Sequence, residues 1–139
     1  MSASSSSSSP RVVVVGAGPA GLRAVETLAK AGLRPVLIDE ARRPGGQIYR
    51  QPPEGAERPA EALYGFEAGK ATALHRLLAD LGDAVDHRAE TLVWNVFETT
   101  LDLLGPSGIS TLEFDRLILA TGAMDRILPF PGWTLPGVF

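Results

Sequence analysis

The spacing of apolar positions changes several times along the chain, and each change marks an element. Val12-Val13-Val14-Val15 is an unbroken β-branched run. A continuous apolar run without alternation suits a strand buried on both faces, as in a parallel sheet. Gly16-Ala17-Gly18-Pro19-Ala20-Gly21 follows directly. Leu22, Val25, Leu28 and Ala29 then recur at helical spacing, and Gly32 closes the helix as its C-cap. Pro35-Val36-Leu37-Ile38 reads as a second buried strand, ended by Asp39-Glu40. Together these form a strand–helix–strand unit of about 30 residues.

Ala41 to Ala62 has no period and carries Pro44, Gly45, Gly46, Pro52, Pro53, Gly55 and Pro59. Such a long irregular stretch inside a compact domain is uncommon and often functional. From Phe66 to Leu81 the helical period returns, with Leu74, Leu77, Leu78 and Leu81 as the buried stripe and Gly82 as the stop. Leu92–Phe97, Thr100–Leu104 and Ile109–Phe114 read as three short strands, with Gly105-Pro106-Ser107-Gly108 turning between the last two. Their close spacing makes them an antiparallel meander. Leu117-Ile118-Leu119-Ala120 is one more expected buried strand, followed by Thr121-Gly122-Ala123. The pattern as a whole is α/β.

At both ends the pattern gives out. Residues 1–10 hold seven Ser and no charge, too little to bury a core, and are expected to be a disordered tail. Neither the basic start nor the apolar run of a secretory signal is present in them. A cytoplasmic location is the expectation. Residues 128–139 carry Pro129, Pro131, Pro136, Gly132 and Gly137 and read as the start of a linker leading onward. The chain stops on Gly137-Val138-Phe139, although a terminus is usually a surface feature. The domain is therefore expected to be incomplete at its C-terminus.

Composition narrows the chemistry. Of 139 residues, 13 are Lys or Arg and 16 are Asp or Glu, with no basic block, which argues against a nucleic-acid partner. No run approaches the roughly 20 apolar residues of a membrane-spanning helix. There is no cysteine, so this chain has no disulfide, thiolate metal site or thiol nucleophile of its own. His75 and His87 lack the paired spacing of metal ligands and read as satisfied or solvated side chains. Trp94 and Trp133 read as packing residues, and Asp80, Asp83 and Asp86 as a solvated face. No metal ligand, general acid or general base stands out.

The chemistry lies in the glycine-rich turn. A lone GxGxxG means little, but here it follows a strand and opens a helix. Gly16 allows the tight turn, Gly18 lets a pyrophosphate approach the backbone, and Gly21 lets helix and strand pack closely. The helix N-terminus offers free N–H groups and a positive dipole end to the diphosphate. Asp39 lies 23 positions after Gly16. An acid at about this distance accepts hydrogen bonds from an adenosine ribose and repels a 2′-phosphate. Glu40 is the runner-up and should point elsewhere by strand alternation. These residues alone do not separate a flavin from a nicotinamide dinucleotide.

Three motifs in order carry a resemblance: Gly16 to Gly21 with Asp39, then Gly45-Gly46-Gln47, then Leu119-Ala120-Thr121-Gly122-Ala123. The chain from Arg11 to Phe139 resembles the flavoproteins with two dinucleotide domains, thioredoxin reductase and its relatives. Gly45-Gly46-Gln47-Ile48-Tyr49-Arg50-Gln51-Pro52-Pro53 and Pro129 to Val138 bring it closer to one branch. That branch is the FAD-containing α-type subunit of opine oxidase, of proline or hydroxyproline dehydrogenase, and of hydrogen cyanide synthase. The resemblance implies a three-layer, FAD/NAD(P)-binding Rossmann-like domain with an antiparallel meander. It makes residues 11–127 the N-terminal half of an FAD domain.

The resemblance also implies roles. Gly16, Gly18, Pro19, Ala20 and Gly21 would cradle the FAD diphosphate, and Asp39 would hold the ribose. Gly46 and Gln47 match the loop beside the ribityl and phosphate end. Val93 matches the strand whose backbone pairs with adenine. Ala120, Thr121 and Gly122 match the turn passing the FAD on its far side. Arg43 could lie near a phosphate. An NAD(P) site would fall in a domain beyond Phe139. The implied function is an electron-handling, FAD-dependent subunit beside a partner oxidoreductase, with the amine or amino-acid substrate handled elsewhere. The isolated chain is expected to be inactive. A non-catalytic dinucleotide-binding module and a nonfunctional fragment are the alternatives.

Overall fold

The computed structural model describes residues 9–123, 129–132 and 134–135. Most of the expected Ser-rich tail lies outside the described residues, as do Trp133 and the end from Pro136 of the expected linker. In chain order the elements are β1 (Val12–Val15), α1 (Pro19–Lys30), β2 (Val36–Ile38), α2 (Ala60–Tyr64), α3 (Ala68–Leu81), β3 (Asp86–Arg88), β4 (Leu92–Phe97), β5 (Thr100–Gly105), β6 (Gly108–Glu113) and β7 (Arg116–Leu119). Single 3₁₀ turns, Gly65–Glu67 and Gly82–Ala84, flank α3.

The unbroken valine run has a structural cause. β1 is a central strand of a four-stranded parallel sheet ordered β3-β2-β1-β7, with Val13 opposite both Val36 and Leu117. Alternate residues point to opposite faces, and both faces are covered. Val14 and Leu37 pack with Leu22 and Val25 of α1 and Ala71 and Leu74 of α3. Val13, Val36 and Ile38 pack with Leu101, Leu103 and Leu112 of the β4-β5-β6 meander. Helices, parallel sheet and meander make three layers, with β1, β2 and β7 of the middle one feeding both cores.

Local chemistry sets the ends of α1. Gly18 is its N-cap and Pro19 its first residue, where a missing N–H costs nothing. Ala31 is the cap at the other end, with Gly32 just beyond it at φ +80°. Leu33 N–H reaches back to the Leu28 carbonyl at 3.0 Å, the six-to-one closure that a left-handed glycine allows.

Several expectations shift by degree. α2 forms inside the stretch expected to be irregular, entered through Pro59. β7 is an edge strand rather than a buried one, and Leu119 is 67% exposed, because only β1 pairs with it among the described residues. Trp94 sits at an irregularity between Val93 and Asn95 that breaks the pairing with β5, and is exposed rather than packed.

β3 is a strand that the sequence pattern does not announce. Asp86, His87 and Arg88 pair with Val36, Leu37 and Ile38. The His87 Nε2 is buried and has no hydrogen-bond partner among the described residues. Burial holds the His87 pKa below its ordinary 6.5, against a partial upward pull from Asp39 and Asp86. The unfolded chain therefore takes up this proton first as pH falls. The contribution of neutral His87 is present above pH 6.5 and is lost as pH drops toward the lower folded value. The urea midpoint is expected to fall between pH 7 and about pH 5.5. His87→Leu should reduce that fall, and an unchanged pH slope in the variant would contradict this account.

Candidate functional site

The carboxyl ends of β1, β2 and β7 open into a cavity of about 860 Å³. In open α/β sheets this is where ligands bind. Its floor is the turn between β1 and α1. Gly16, at φ +107°, donates its N–H to the Ile38 carbonyl at 2.8 Å, and a Cβ there would run into the Ala120 carbonyl. Gly18, Pro19 and Ala20 line the cavity at the start of α1. No side chain caps that helix, so its first-turn amides face the cavity without a protein acceptor. Gly21 is not a lining residue. It lies beneath the turn, where a Cβ would overlap the Gly16 carbonyl oxygen.

Asp39 is more deeply engaged than its sequence position suggests. One carboxylate oxygen accepts the Ala17 N–H at 2.5 Å and the other accepts the Ala41 N–H at 2.7 Å. The side chain thus ties the end of β2 to the glycine turn while still lining the cavity. Each oxygen keeps a second lone-pair direction for a ligand hydroxyl. Glu40 also borders the cavity. The backbone then ties in β4: Thr91 N–H donates to the Asp39 carbonyl at 2.9 Å, and Glu90 N–H to that of Ala41 at 3.3 Å. Those bonds bring Leu92 and Val93 to the rim.

Packed against the floor is the Gly45-Gly46-Gln47 loop. Gly45 donates its N–H to the Ala17 carbonyl at 2.9 Å. Gly46, at φ +62°, lies so close to Gly18 that a Cβ would come within 2.9 Å of the Gly18 Cα. Gln47 reaches across the cavity, its amide donating to the Ala123 carbonyl at 3.3 Å. Ala120, Thr121 and Gly122 complete that wall, and Ala120 N–H continues the β1 ladder to the Val15 carbonyl at 2.8 Å. Eleven of the twelve expected binding residues therefore line one cavity, and Gly21 supports it from below. Arg43 also lines it, with its guanidinium bonded to the Pro52 carbonyl and lying 3.5 Å from Glu54.

Behind the loop stands a polar cluster that the sequence pattern does not mark as functional. Tyr49 is buried and donates its phenol to Glu67 at 2.5 Å. Glu67 also accepts from Lys70 at 2.6 Å. Lys70 and then the Tyr49 phenol hold the Glu67 pKa down, and the same Glu67 bond pushes Tyr49 up. His75 Nε2 lies 2.8 Å from the Tyr49 carbonyl. Because a carbonyl only accepts, that nitrogen carries the proton.

Among the described residues no cluster of His, Asp and Glu could hold a metal ion, and no helix is long and apolar enough to cross a membrane.

Comparison with known proteins gives the same direction. The model of a family described as pyridine nucleotide-disulphide oxidoreductase matches residues 10–139. The A subunit of Rhizobium meliloti opine oxidase is 40% identical over 127 residues, covering 91% of this chain and 27% of that protein. The HcnB subunit of hydrogen cyanide synthase from Pseudomonas protegens is 40% identical over 128 residues, with the same 91% and 27% coverage. The chain thus spans about a quarter of the length of these curated relatives. L-proline dehydrogenase from P. horikoshii shares the fold at a TM-score of 0.67 and 24% identity, over 86% of this chain and 24% of that one.

Proposed function

The chain belongs to the pyridine nucleotide-disulphide oxidoreductase family, and from that premise we propose that it is the FAD-binding N-terminal portion of an amine- or amino-acid-oxidising enzyme. The observation that carries this reading is the glycine cradle. Gly16, Gly18 and Gly46 line the cavity as bare backbone, and their lack of a Cβ lets the walls of this channel meet: a Cβ at Gly16 would run into the Ala120 carbonyl, and one at Gly46 would come within 2.9 Å of the Gly18 Cα. The uncapped start of α1 faces that channel and supplies N–H donors and a positive dipole end to a diphosphate. Asp39 accepts from the adenosine ribose, and Val93 borders the adenine. Gly46 and Gln47 run beside the ribityl side, with Ala120, Thr121 and Gly122 across from them. The cavity falls within the size range of cofactor sites.

FAD, when bound, supplies the redox chemistry by accepting and passing on a hydride at its flavin ring. The residues of this chain bind and orient it. The chain has no cysteine, so it performs no disulfide reduction with its own residues. The likeness to subunits of opine oxidase and hydrogen cyanide synthase supports an electron-handling role beside a partner oxidoreductase that meets the substrate.

The reading makes a ligand prediction. Every residue named above, apart from the Gly46-Gln47 and Ala120–Gly122 walls, addresses the adenosine diphosphate half. FMN lacks that half. FAD is therefore expected to bind the cofactor-stripped chain in a 1:1 ratio, with ADP competing, and FMN to bind at least about 100-fold more weakly. Calorimetric titration reads all three. Equal affinity for FAD and FMN, or failure of ADP to compete, would overturn the assignment.

A further inference from the structure

We propose that His75 and Tyr49 are positioning residues that clamp the Gly45–Gln47 loop against the glycine turn, so that α3 sets the width of the cofactor cradle. The inference rests on the FAD reading above and assigns work to residues outside the cavity. Gly45 and Gly46 stand at φ +132° and +62°. Two adjacent glycines have no conformational preference of their own and lose much entropy when ordered. Something outside the loop must hold them.

The holding contacts are specific. Tyr49 N–H closes the loop on the Gly45 carbonyl at 3.2 Å. The Tyr49 carbonyl accepts from His75 on α3, and the Tyr49 phenol donates to Glu67 just before α3. Tyr64 of α2 donates its phenol to the Arg50 carbonyl at 2.9 Å. Its ring meets Tyr49 edge-on at 5.9 Å and His75 at 5.7 Å. His75 also packs directly on Gly45, where a Cβ would lie 3.0 Å from its Nε2. One histidine thus touches both ends of the Gly45–Tyr49 turn. Gly46, the next residue, is the one that abuts Gly18. The contact path runs from α3 through Gly45 and Tyr49 to the wall facing Gly18.

The test compares His75→Leu, which keeps bulk but loses the donor, with His75→Gln, which keeps a donor at similar reach. Two readouts are taken on the whole chain: amide hydrogen exchange without cofactor, and FAD affinity. In His75→Leu the Gly45 and Tyr49 amides are expected to exchange about tenfold faster and FAD to bind about tenfold more weakly, the scale of one lost buried hydrogen bond. The unfolding midpoint should fall by no more than that one bond accounts for, and His75→Gln should restore both readouts. Unchanged loop exchange in His75→Leu would overturn the clamp. Faster loop exchange with FAD affinity unchanged would also overturn it, by separating the loop from the cradle. If the unaltered chain binds no FAD, the function reading fails, and loop exchange alone decides the clamp.

Discussion

Gly21→Ala is expected to abolish FAD and ADP binding and to lower stability by about 3 kcal/mol, the upper end of the cost of overpacking. The added methyl would overlap the Gly16 carbonyl oxygen and come within 3.4 Å of the Ala120 Cβ. Neither obstacle can swing aside. The Gly16 backbone is bonded to the Ile38 carbonyl, and Ala120 to the Val15 carbonyl. The helix must move instead, lifting Leu22 and Val25 off Val14 and Leu37 and tilting the first-turn amides away from the diphosphate. The urea midpoint reads the stability loss, and an unchanged m-value would show that the unfolded state is not its source. Gly32→Ala is the control. It has φ +80° but open space around it, so it should cost only the 1–2 kcal/mol or so of a left-handed alanine and leave binding alone.

Asp39→Ala comes second in size. It removes the acceptor of two backbone N–H groups, Ala17 and Ala41. Ala17 is 1% exposed, so its amide cannot turn to water, and a buried orphaned donor costs about 1–3 kcal/mol. The ribose contact is lost as well. FAD affinity is expected to fall about 100-fold, with a loss of stability even in the absence of cofactor. Asp39→Asn should be nearly as damaging, because its NH₂ faces one of two donors. Glu40→Gln should be mild in both readouts. A variant of Asp39 with native stability and weak binding would make the residue a ribose ligand alone.

The sequence reveals much of this because the main layers are written locally. A four-valine run, a glycine turn and a helical stripe specify β1, α1 and β2 without reference to the rest of the chain. Close spacing and the Gly105–Gly108 turn give the meander, in which Leu101 and Leu103 face in and Asp102 lies between them. β3 escapes notice because Asp86-His87-Arg88 is polar and short, and its strand form comes from pairing with β2. β7 reads as buried because Leu117-Ile118-Leu119-Ala120 is apolar, and a run of residues does not say how many neighbours a strand has.

At the site, the glycines and Asp39 are legible because phosphate and ribose chemistry demand those residue types at that spacing. The second task of Asp39, bridging Ala17 and Ala41, depends on how the β1 and β2 turns are set side by side. Tyr49 and His75 are 26 positions apart and meet only because α3 packs behind the loop. The one local hint is that Tyr49 lies three positions beyond Gly46, an aromatic anchor at the close of a glycine turn.

The central claim is that the glycine cradle of this chain holds FAD. Its most direct test is the visible absorption spectrum of the purified chain after incubation with FAD and removal of the free cofactor. The account predicts a flavin spectrum at a 1:1 ratio that is lost on addition of excess ADP. A folded chain that comes through colourless and gives no ADP titration would contradict it.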